Sequence, residues 1–221
     1  MTALAIDIES GGGFMTKNPL IAIGTCLLNE DGSKEKKRFT FNFKIEDFEP
    51  DCVERFWSKN MEVLNTFKND SKSTLQDFAN YIDELDKIYP SLVIICTNPA
   101  YDIGFINHLY DKELNRLPLM NKYNGKYRFI TDLNSMIYAM FPHSSTNKVD
   151  KQLLTQYGVV IPELHNHYPE DDAEYIIDIY RQIKEVLKTR SDTPTYNQYC
   201  KPLLGVVAAA LFGVLVKYLW K

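Results

Sequence analysis

The sequence predicts an α/β domain in which a mixed five-stranded sheet is flanked by helices. Two observations support this prediction. The first part of the chain contains three strand-like segments joined by short turns, as in an antiparallel meander. Further along, segments with helical periodicity alternate with two more strand-like segments, an arrangement that packs helices against a sheet. With 221 residues, of which 45% are hydrophobic, the chain is long enough to bury one core of this kind.

The meander is predicted from three segments near the start of the sequence. ALAIDI, at residues 3–8, is an apolar run that a glycine triplet ends, and PLIAIGTCLL, at residues 19–28, is followed by an Asp-Gly turn. In KKRFTFNFKI, polar residues alternate with Phe39, Phe41 and Phe43, which is the period of a half-buried strand. We expect these three strands to be neighbours in the sheet.

The later segments alternate between helix and strand. STLQDFANYIDELDKIY, at residues 73–89, has its apolar residues on one helical face, and Ser73 with Gln76 has the spacing of a capping box. SLVIICT, at residues 91–97, is a continuous apolar run typical of a strand buried on both faces. The remaining predictions are a strand at 127–131 and helices at 102–112, 133–140, 151–157 and 171–188.

The charge and the cysteine content narrow the function classes. The formal net charge is −4, whereas a protein that binds nucleic acid by charge alone is usually basic. An enzyme whose acidic site is neutralised by metal ions is compatible with this charge. Cys26, Cys52, Cys96 and Cys200 form no Cys-x-x-Cys pair, which indicates isolated thiols in a reducing compartment rather than a disulfide framework or a zinc cage. The first residues lack a secretory signal pattern, so we expect a cytoplasmic location.

Acidic residues occur at separated places that suit a metal site. Asp7 and Glu9 alternate along the first strand, so their carboxylates share a face and lie about 7 Å apart along the backbone. Two such carboxylates can bind one hard cation, although two solvated acids at a strand edge are the alternative. Asp102 follows the buried strand at 91–97, where an acid in the first turn of a helix is the alternative.

The stretch LHNHYPEDDAEYI, at residues 164–176, holds the last acidic group. Asp171 and Asp172 stand at the start of a predicted helix, where the positive end of the helix dipole by itself favours acids. With His165 and His167, the stretch offers too few nitrogen or sulfur ligands for zinc. Because carboxylates predominate, the predicted metal is Mg²⁺ or Mn²⁺.

Three motifs resemble those of the DEDDh 3′–5′ exonucleases. IDIES, NPAYDIGFI and HNHYPEDDA occur in the order and at the separations of that family, which includes proofreading subunits, ribonuclease T, oligoribonuclease and three-prime repair exonucleases. The resemblance covers residues 3–188 and implies a ribonuclease H-like fold. The sequence departs from the family at Thr97, where members often have histidine, and at Tyr168 and Pro169, which replace smaller residues. These departures bear on substrate preference.

The resemblance also implies which residues act. Four acids would bind two Mg²⁺ or Mn²⁺ ions, and one histidine would take a proton from the attacking water. The histidine of the family's H-x-x-x-x-D motif falls on His167, whereas His165 does not have the required spacing. The implied metal ligands, which are also counted as catalytic residues, are Asp7, Glu9, Asp102 and Asp172.

Four further residues are predicted to contact the substrate. In the family, the turn after the first motif often wedges against the 3′ nucleotide, and here that turn carries Phe14 and Met15. Tyr101 is expected to stack on a base, and Asn98 lies near it in the second motif. Core packing for the aromatic side chains and a role in a turn for Asn98 are the alternatives.

The predicted function is the stepwise hydrolysis of phosphodiester bonds from the 3′ end of DNA or RNA. A second hypothesis is a catalytically idle, exonuclease-like module that binds nucleic acid or serves as a scaffold. The presence of all five implied catalytic residues favours the enzyme. The sequence does not distinguish DNA from RNA or single-stranded from double-stranded substrates, and it indicates no oligomeric state.

The last residues of the sequence are predicted to form a membrane anchor. Residues 191–202 are polar with two prolines, which indicates a linker after an exonuclease domain at 1–190. Residues 203–220 contain one charged side chain, Lys217, and as a helix would span about 27 Å, enough for a thin endoplasmic-reticulum bilayer. The domain would then face the cytoplasm. A terminal core helix is the alternative for residues 203–221.

Overall fold

Five strands form the central sheet. The computed structural model describes residues 2–116, 121, 123–125, 128–140, 154–155, 158–161 and 166–191. The strands are β1 (Ala3–Ser10), β2 (Leu20–Leu28), β3 (Lys34–Thr40), β4 (Val93–Cys96) and β5 (Ile130–Asp132). Their order is β3-β2-β1-β4-β5; β1 pairs antiparallel with β2 and β2 with β3, whereas β4 is parallel to both β1 and β5. The predicted mixed five-stranded sheet is confirmed.

Helices flank this sheet, as predicted. Within the described residues they are α1 (Pro50–Arg55), α2 (Met61–Asn69), α3 (Leu75–Ile88), α4 (Pro99–Leu109), α5 (Leu133–Met140) and α6 (Pro169–Ser191). A π-helical turn, Tyr110–Leu114, continues α4, and short 3-10 turns occur at Ile45–Asp47 and Trp57–Lys59. All but two residues of the helix predicted at 151–157 lie outside the described residues.

The alternation of side chains along β1 determines what each face of the sheet carries. Leu4, Ile6 and Ile8 belong to the main buried cluster, which α3 and α4 complete. Because successive side chains of a strand point to opposite faces, Asp7 and Glu9 lie on the other face. The apolar face of β1 therefore packs into the main core, and its other face carries the two carboxylates.

The other face of the sheet carries a second cluster, rich in aromatic residues. Ala22 of β2, which lies opposite Glu9 in the sheet, packs there with Trp57 and Phe67. The segment that supplies these rings, which includes α1 and α2, was not assigned from the sequence. Helices of six and nine residues gain most of their stability from tertiary packing, so their periodicity is a weak signal.

Two local predictions were wrong by a few residues. The third strand ends at Thr40, so Phe41 and Phe43 lie beyond it, and of the three phenylalanines only Phe39 is a buried strand residue. The capping box of α3 is formed by Thr74 and Asp77: Thr74 Oγ1 accepts a hydrogen bond from the Asp77 backbone N–H at 3.2 Å, and Asp77 Oδ2 accepts one from the Thr74 N–H at 2.7 Å.

The predicted box of Ser73 and Gln76 fails because Ser73 is used elsewhere. Its backbone N–H donates to the Thr40 carbonyl at 2.7 Å, at the end of β3. Since Ser and Thr cap helices comparably well, the sequence alone did not distinguish two adjacent cap residues.

Prolines set the starts of two helices earlier than predicted. The helix expected from Asp102 begins at Pro99, and the helix expected from Asp171 begins at Pro169. Proline suits the first helical position because the N–H that it lacks would have no helical partner there. The strand predicted at 127–131 is shorter and is shifted to Ile130–Asp132.

The chain divides into two compact units, Met1–Tyr180 and Arg181–Lys221. Nearly all of the predicted linker at 191–202 and all of the predicted anchor at 203–221 lie outside the described residues, so the predicted domain limits stay predictions. Within the part of the chain that the structure describes, no helix is both long and apolar enough to cross a membrane.

Candidate active site

The first two acids of the site stand on β1. Asp7 lies opposite Gly24 of β2, and Glu9 lies opposite Ala22. Burial raises the pKa of the Asp7 carboxyl well above its usual range, and the nearby carboxylates of Asp102, Glu9 and Asp172 raise it further. Burial followed by the charges of Asp172 and Asp102 does the same to the pKa of Glu9. The carboxylates are thus close enough to repel one another.

The third acid, Asp102, lies in the first turn of α4 and is only 4% exposed. Its position follows from the topology, because β4 runs parallel to β1 and α4 begins directly after β4. The carboxyl ends of the two strands therefore meet at one edge of the sheet. Burial raises the pKa of Asp102 to about 7, against the opposing effect of a backbone hydrogen bond from Ile8.

The fourth acid, Asp172, is 2% exposed in the first turn of α6. A close approach of α6 to β2 positions this turn: a Cβ atom on Gly24 would lie 1.9 Å from the backbone carbonyl carbon of Pro169. Since Gly24 lies opposite Asp7, its missing side chain brings the start of α6 close to the β1 acids. Gly24 was not among the residues predicted from the sequence, although a glycine inside an apolar strand is a known sign of close backbone approach.

A histidine completes the cluster. His167 precedes α6, and its Nδ1 atom lies 3.8 Å from Glu9 Oε1. Side-chain nitrogen or oxygen atoms of Glu9, His167 and Asp172 all lie within 4.8 Å of one another. The acids together are a hard, oxygen-rich donor set whose mutual repulsion a divalent cation would relieve, so these residues fit Mg²⁺ or Mn²⁺.

An ion-pair ladder holds α6 against the edge strand β3. Alternate residues of β3 supply the cations, and one side of α6 supplies the acids. Lys36 pairs with Asp171 at 2.7 Å, and Arg38 pairs with Glu170 at 2.9 Å. The full ladder consists of Lys34, Lys36 and Arg38 on β3 with Glu170, Asp171, Glu174 and Asp178 on α6. The acids beside Asp172 thus have a structural partner in addition to the helix dipole.

Comparisons with solved structures identify the architecture. The structure of S. pombe Pop2p with bound Mg²⁺ and Mn²⁺ superposes with a TM-score of 0.57 at 16% identity, covering 82% of each chain. The nuclease domain of 3′hExo, a DEDDh family member bound to rAMP, superposes with a TM-score of 0.57 at 14% identity, covering 83% of this chain and 92% of that one. This chain has the fold of the DEDDh exonucleases.

A third relative of this DEDDh fold is longer. E. coli exonuclease I in complex with a dT13 oligonucleotide has a TM-score of 0.59 and 16% identity, and the match covers 86% of this chain but 42% of exonuclease I. No protein-family model matches the sequence, and neither does any curated protein. The ribonuclease H-like α/β fold expected from the three motifs is therefore confirmed by superposition on solved structures that share only 14–16% sequence identity with this chain.

The predicted substrate residues surround the turn that follows Glu9. Phe14 is 57% exposed, with Lys17 Nζ 5.3 Å from its ring centroid. Met15 is half-buried against the core, and its Cε atom would lie 3.0 Å from a Cβ atom added to Gly104. The Phe14 ring is thus accessible to solvent, while Met15 packs the turn against the main buried cluster. Their predicted contacts with substrate stay predictions.

The remaining two predicted substrate residues have structural contacts of their own. The Tyr101 hydroxyl lies 2.5 Å from Ser10 Oγ and donates to the Gly12 carbonyl at 3.2 Å, so it ties α4 to the turn after Glu9. Asn98 is exposed before α4, and its carbonyl accepts the N–H groups of Tyr101 and Asp102. His165, the histidine without the family's spacing, lies outside the described residues.

Proposed function

We propose that this chain is a metal-dependent 3′–5′ exonuclease that hydrolyses phosphodiester bonds from the 3′ end of DNA or RNA. The observation that carries the proposal is the convergence of four acids and His167, from three distant parts of the sequence, on one edge of the sheet. The DEDDh fold supports the same chemistry, because the solved structures with this fold include nucleases.

Asp7, Glu9, Asp102 and Asp172 would hold two Mg²⁺ or Mn²⁺ ions. When bound, such a pair of ions stabilises the charge on both the attacking and the leaving oxygen of a phosphodiester and lowers the pKa of water. The Mg²⁺- and Mn²⁺-bound Pop2p structure, which shares the fold, supports this choice of metal. The protein's own task is to keep four carboxylates close together despite their repulsion, which the rigid sheet edge and α6 accomplish.

His167 is the proposed general base. The ordinary pKa of an imidazole, about 6.5, suits a base that takes a proton from the attacking water near neutral pH. Its side chain is 23% exposed, at the boundary between the buried acids and solvent. From that position it can release the proton to bulk water after each cleavage.

The proposed substrate is a single-stranded 3′ end. With a formal net charge of −4, the chain lacks the general positive field that draws in a duplex, so contacts at the site must supply the affinity. The exposed Phe14 ring, beside Lys17, offers a base-stacking surface next to a cation for a phosphate. Exonuclease I, which shares the fold, has been solved with oligonucleotides of dT and dA.

The test is the shortening of 5′-labelled single-stranded DNA and RNA in Mg²⁺, in Mn²⁺ and in EDTA. We expect a ladder of products that shorten from the 3′ end with metal and intact substrate with EDTA. Asp7→Asn should abolish cleavage and weaken metal binding, whereas His167→Ala should lower kcat by about 10²- to 10⁴-fold and leave metal binding intact.

Two further variants make the test specific. His165→Ala, which changes the histidine two residues before His167 in the sequence, and Asp51→Asn, which changes an exposed acid of α1, should cleave like the unmodified chain. Binding of oligonucleotide without shortening, by folded protein, would favour the idle module instead. Damage by His165→Ala rather than His167→Ala would show that the wrong histidine has been assigned.

A further inference from the structure

We propose that Phe56 is a positioning residue for His167. Together with Trp57 and Phe67 it forms a cluster, here called the aromatic seat, that keeps the His167 imidazole close to the Glu9 carboxylate. The inference rests on the proposed function, because it concerns the residue proposed as general base. It assigns a role to the α1–α2 region, which contains none of the three exonuclease-like motifs. Three sets of contacts support it.

The first set is the contact of the imidazole with Phe56. The two rings meet edge to face, with centroids 4.7 Å apart and planes at 80°. His167 also has a left-handed backbone, with φ of 60°, a conformation that residues other than glycine rarely adopt. Surrounding contacts must determine such a conformation, so the orientation of the imidazole depends on what it packs against.

The second set holds the next residue of the loop. The Tyr168 ring lies 6.0 Å from the Phe67 ring, again nearly perpendicular to it, and its hydroxyl lies 3.4 Å from Thr66 Oγ1. The Tyr168 backbone N–H donates to Asn166 Oδ1 at 3.1 Å. Two consecutive side chains, His167 and Tyr168, therefore rest on neighbouring rings of the α1–α2 region.

The third set ties the seat to the strand that carries the acids. Trp57 is fully buried; its ring lies 4.8 Å from that of Phe56 and 6.4 Å from that of Phe67. Its indole N–H donates to the carbonyl of Ser10 at 3.0 Å, and Ser10 directly follows Glu9. The path from Glu9 through Ser10, Trp57 and Phe56 to His167 closes on itself, because His167 Nδ1 lies 3.8 Å from Glu9.

This closed path has a chemical consequence. A general base acts only when its nitrogen lies within hydrogen-bond reach of the proton that it takes, and small displacements lower the rate steeply. Loss of the Phe56 ring would remove a ring contact that orients the imidazole, without removing any metal ligand. The effect should therefore fall on kcat and leave the KM for oligonucleotide and the affinity for Mg²⁺ unchanged.

The test compares Phe56→Leu with Phe43→Leu. Phe43 is a matched control, since both phenylalanines are partly buried against the same cluster but Phe43 contacts Phe48 rather than His167. Phe56→Leu should lower kcat about tenfold, which is about 1.4 kcal/mol, with KM unchanged. Phe56→Tyr, which keeps the ring, should restore most of kcat, and Phe43→Leu should leave it unchanged.

A second measurement does not depend on activity. In the metal-free, unmodified protein, the imidazole protons of His167 should show ring-current shifts in the NMR spectrum and cross-peaks to the Phe56 ring; Phe56→Leu should abolish both, and Phe43→Leu should not. Absence of these signals in the unmodified protein, or an equal kcat for the two leucine variants, would overturn the inference. If the unmodified chain does not cleave oligonucleotides, the proposed function fails. The cross-peaks between His167 and the Phe56 ring then still test the aromatic seat.

Discussion

Three carboxyls of the site, Asp7, Glu9 and Asp102, lower the stability of the metal-free fold when they are ionised. Burial raises the pKa values of Asp7, Glu9 and Asp102, that of Asp102 to about 7, and the charges of neighbouring carboxylates raise those of Asp7 and Glu9 further. A group with a higher pKa in the folded than in the unfolded chain favours folding when protonated and opposes it when ionised. The metal-free protein therefore loses stability from Asp102 as pH rises from about 4, the ordinary pKa of a carboxyl, to about 7, and Asp7 and Glu9 act in the same direction.

A bound divalent cation reverses the sign of this effect, because it favours the ionised carboxylates. We predict that Mg²⁺ raises the melting temperature by about 5–10 °C at pH 8, as expected for about 2.7 kcal/mol of binding at a hundred times Kd. At pH 5 the shift should be close to zero, since protons compete with the metal. Thermal melts at both pH values, with NaCl at equal ionic strength and with Asp7→Asn as controls, check this; an equal shift at both pH values would contradict it.

At the scale of single residues, the sequence predicted the acidic residues of the proposed site, and the structure shows the contacts that position His167 beside them. The spacing of Asp7 and Glu9 predicted a shared strand face, and the structure places both opposite the apolar side of β1. The supports of His167 were not predictable. Phe56 and Trp57 lie about 110 residues before His167 in the sequence, and a short aromatic segment does not indicate which distant residue it contacts.

At the scale of elements, the contact of β2 with the start of α6 determines where Asp172 lies. A methyl group on Gly24 would overlap the backbone of Pro169, with 1.9 Å between the two carbon atoms, so the strand or the helix start would have to shift. We predict that Gly24→Ala displaces α6, lowers the free energy of unfolding by about 1–3 kcal/mol and weakens Mg²⁺ binding, because Asp172 leaves the other acids. Denaturant unfolding and calorimetric metal titration measure the two effects.

Gly32→Ala is the control for a loss of stability alone. Gly32 lies in the turn between β2 and β3, where φ is 86° and a Cβ atom meets no neighbour within 4 Å. Alanine there should cost about 1 kcal/mol of backbone strain and leave Mg²⁺ affinity unchanged. Equal Mg²⁺ affinity of the two alanine variants would show that the close contact at Gly24 does not position the site.

The elements that the sequence predicted best are those whose stability is local or whose pattern is uninterrupted. β1, β2 and β4 are apolar runs, and α3 has a full amphipathic stripe, so each was identified from its own residues. The α1–α2 region is the opposite case, because its short helices are stable through aromatic packing with distant residues. Their sequence signal is correspondingly weak.

At the scale of the whole molecule, topology explains why a site of distant residues was predictable. β4 is parallel to β1, so the residues that follow β4 arrive at the edge where Asp7 and Glu9 lie. The approach of α6 to the same edge depends on Gly24 and on the ion-pair ladder with β3, which are contacts between remote segments. The three motifs placed α6 there only through the family resemblance, and the comparison of folds now supports that placement by independent means.

The last prediction concerns where the molecule resides. Residues 203–220 carry one charge, Lys217, and their apolar length suits a thin bilayer, so we predict that the full chain pellets with membranes and is released by detergent. A chain that ends at residue 202 should stay in the supernatant and keep full nuclease activity, because the proposed site lies within residues 7–172.

An introduced charge distinguishes a membrane-spanning segment from nonspecific adsorption to membranes. Asp at the centre of an apolar span costs about 2.5–3.5 kcal/mol, and the cost falls toward the interface. Leu211→Asp, near the middle of residues 203–220, should therefore shift the chain toward the soluble fraction far more than Leu203→Asp at the edge. An equal effect of the two substitutions would indicate a surface contact rather than a span, and recovery of the full chain in the supernatant without detergent would contradict the anchor itself.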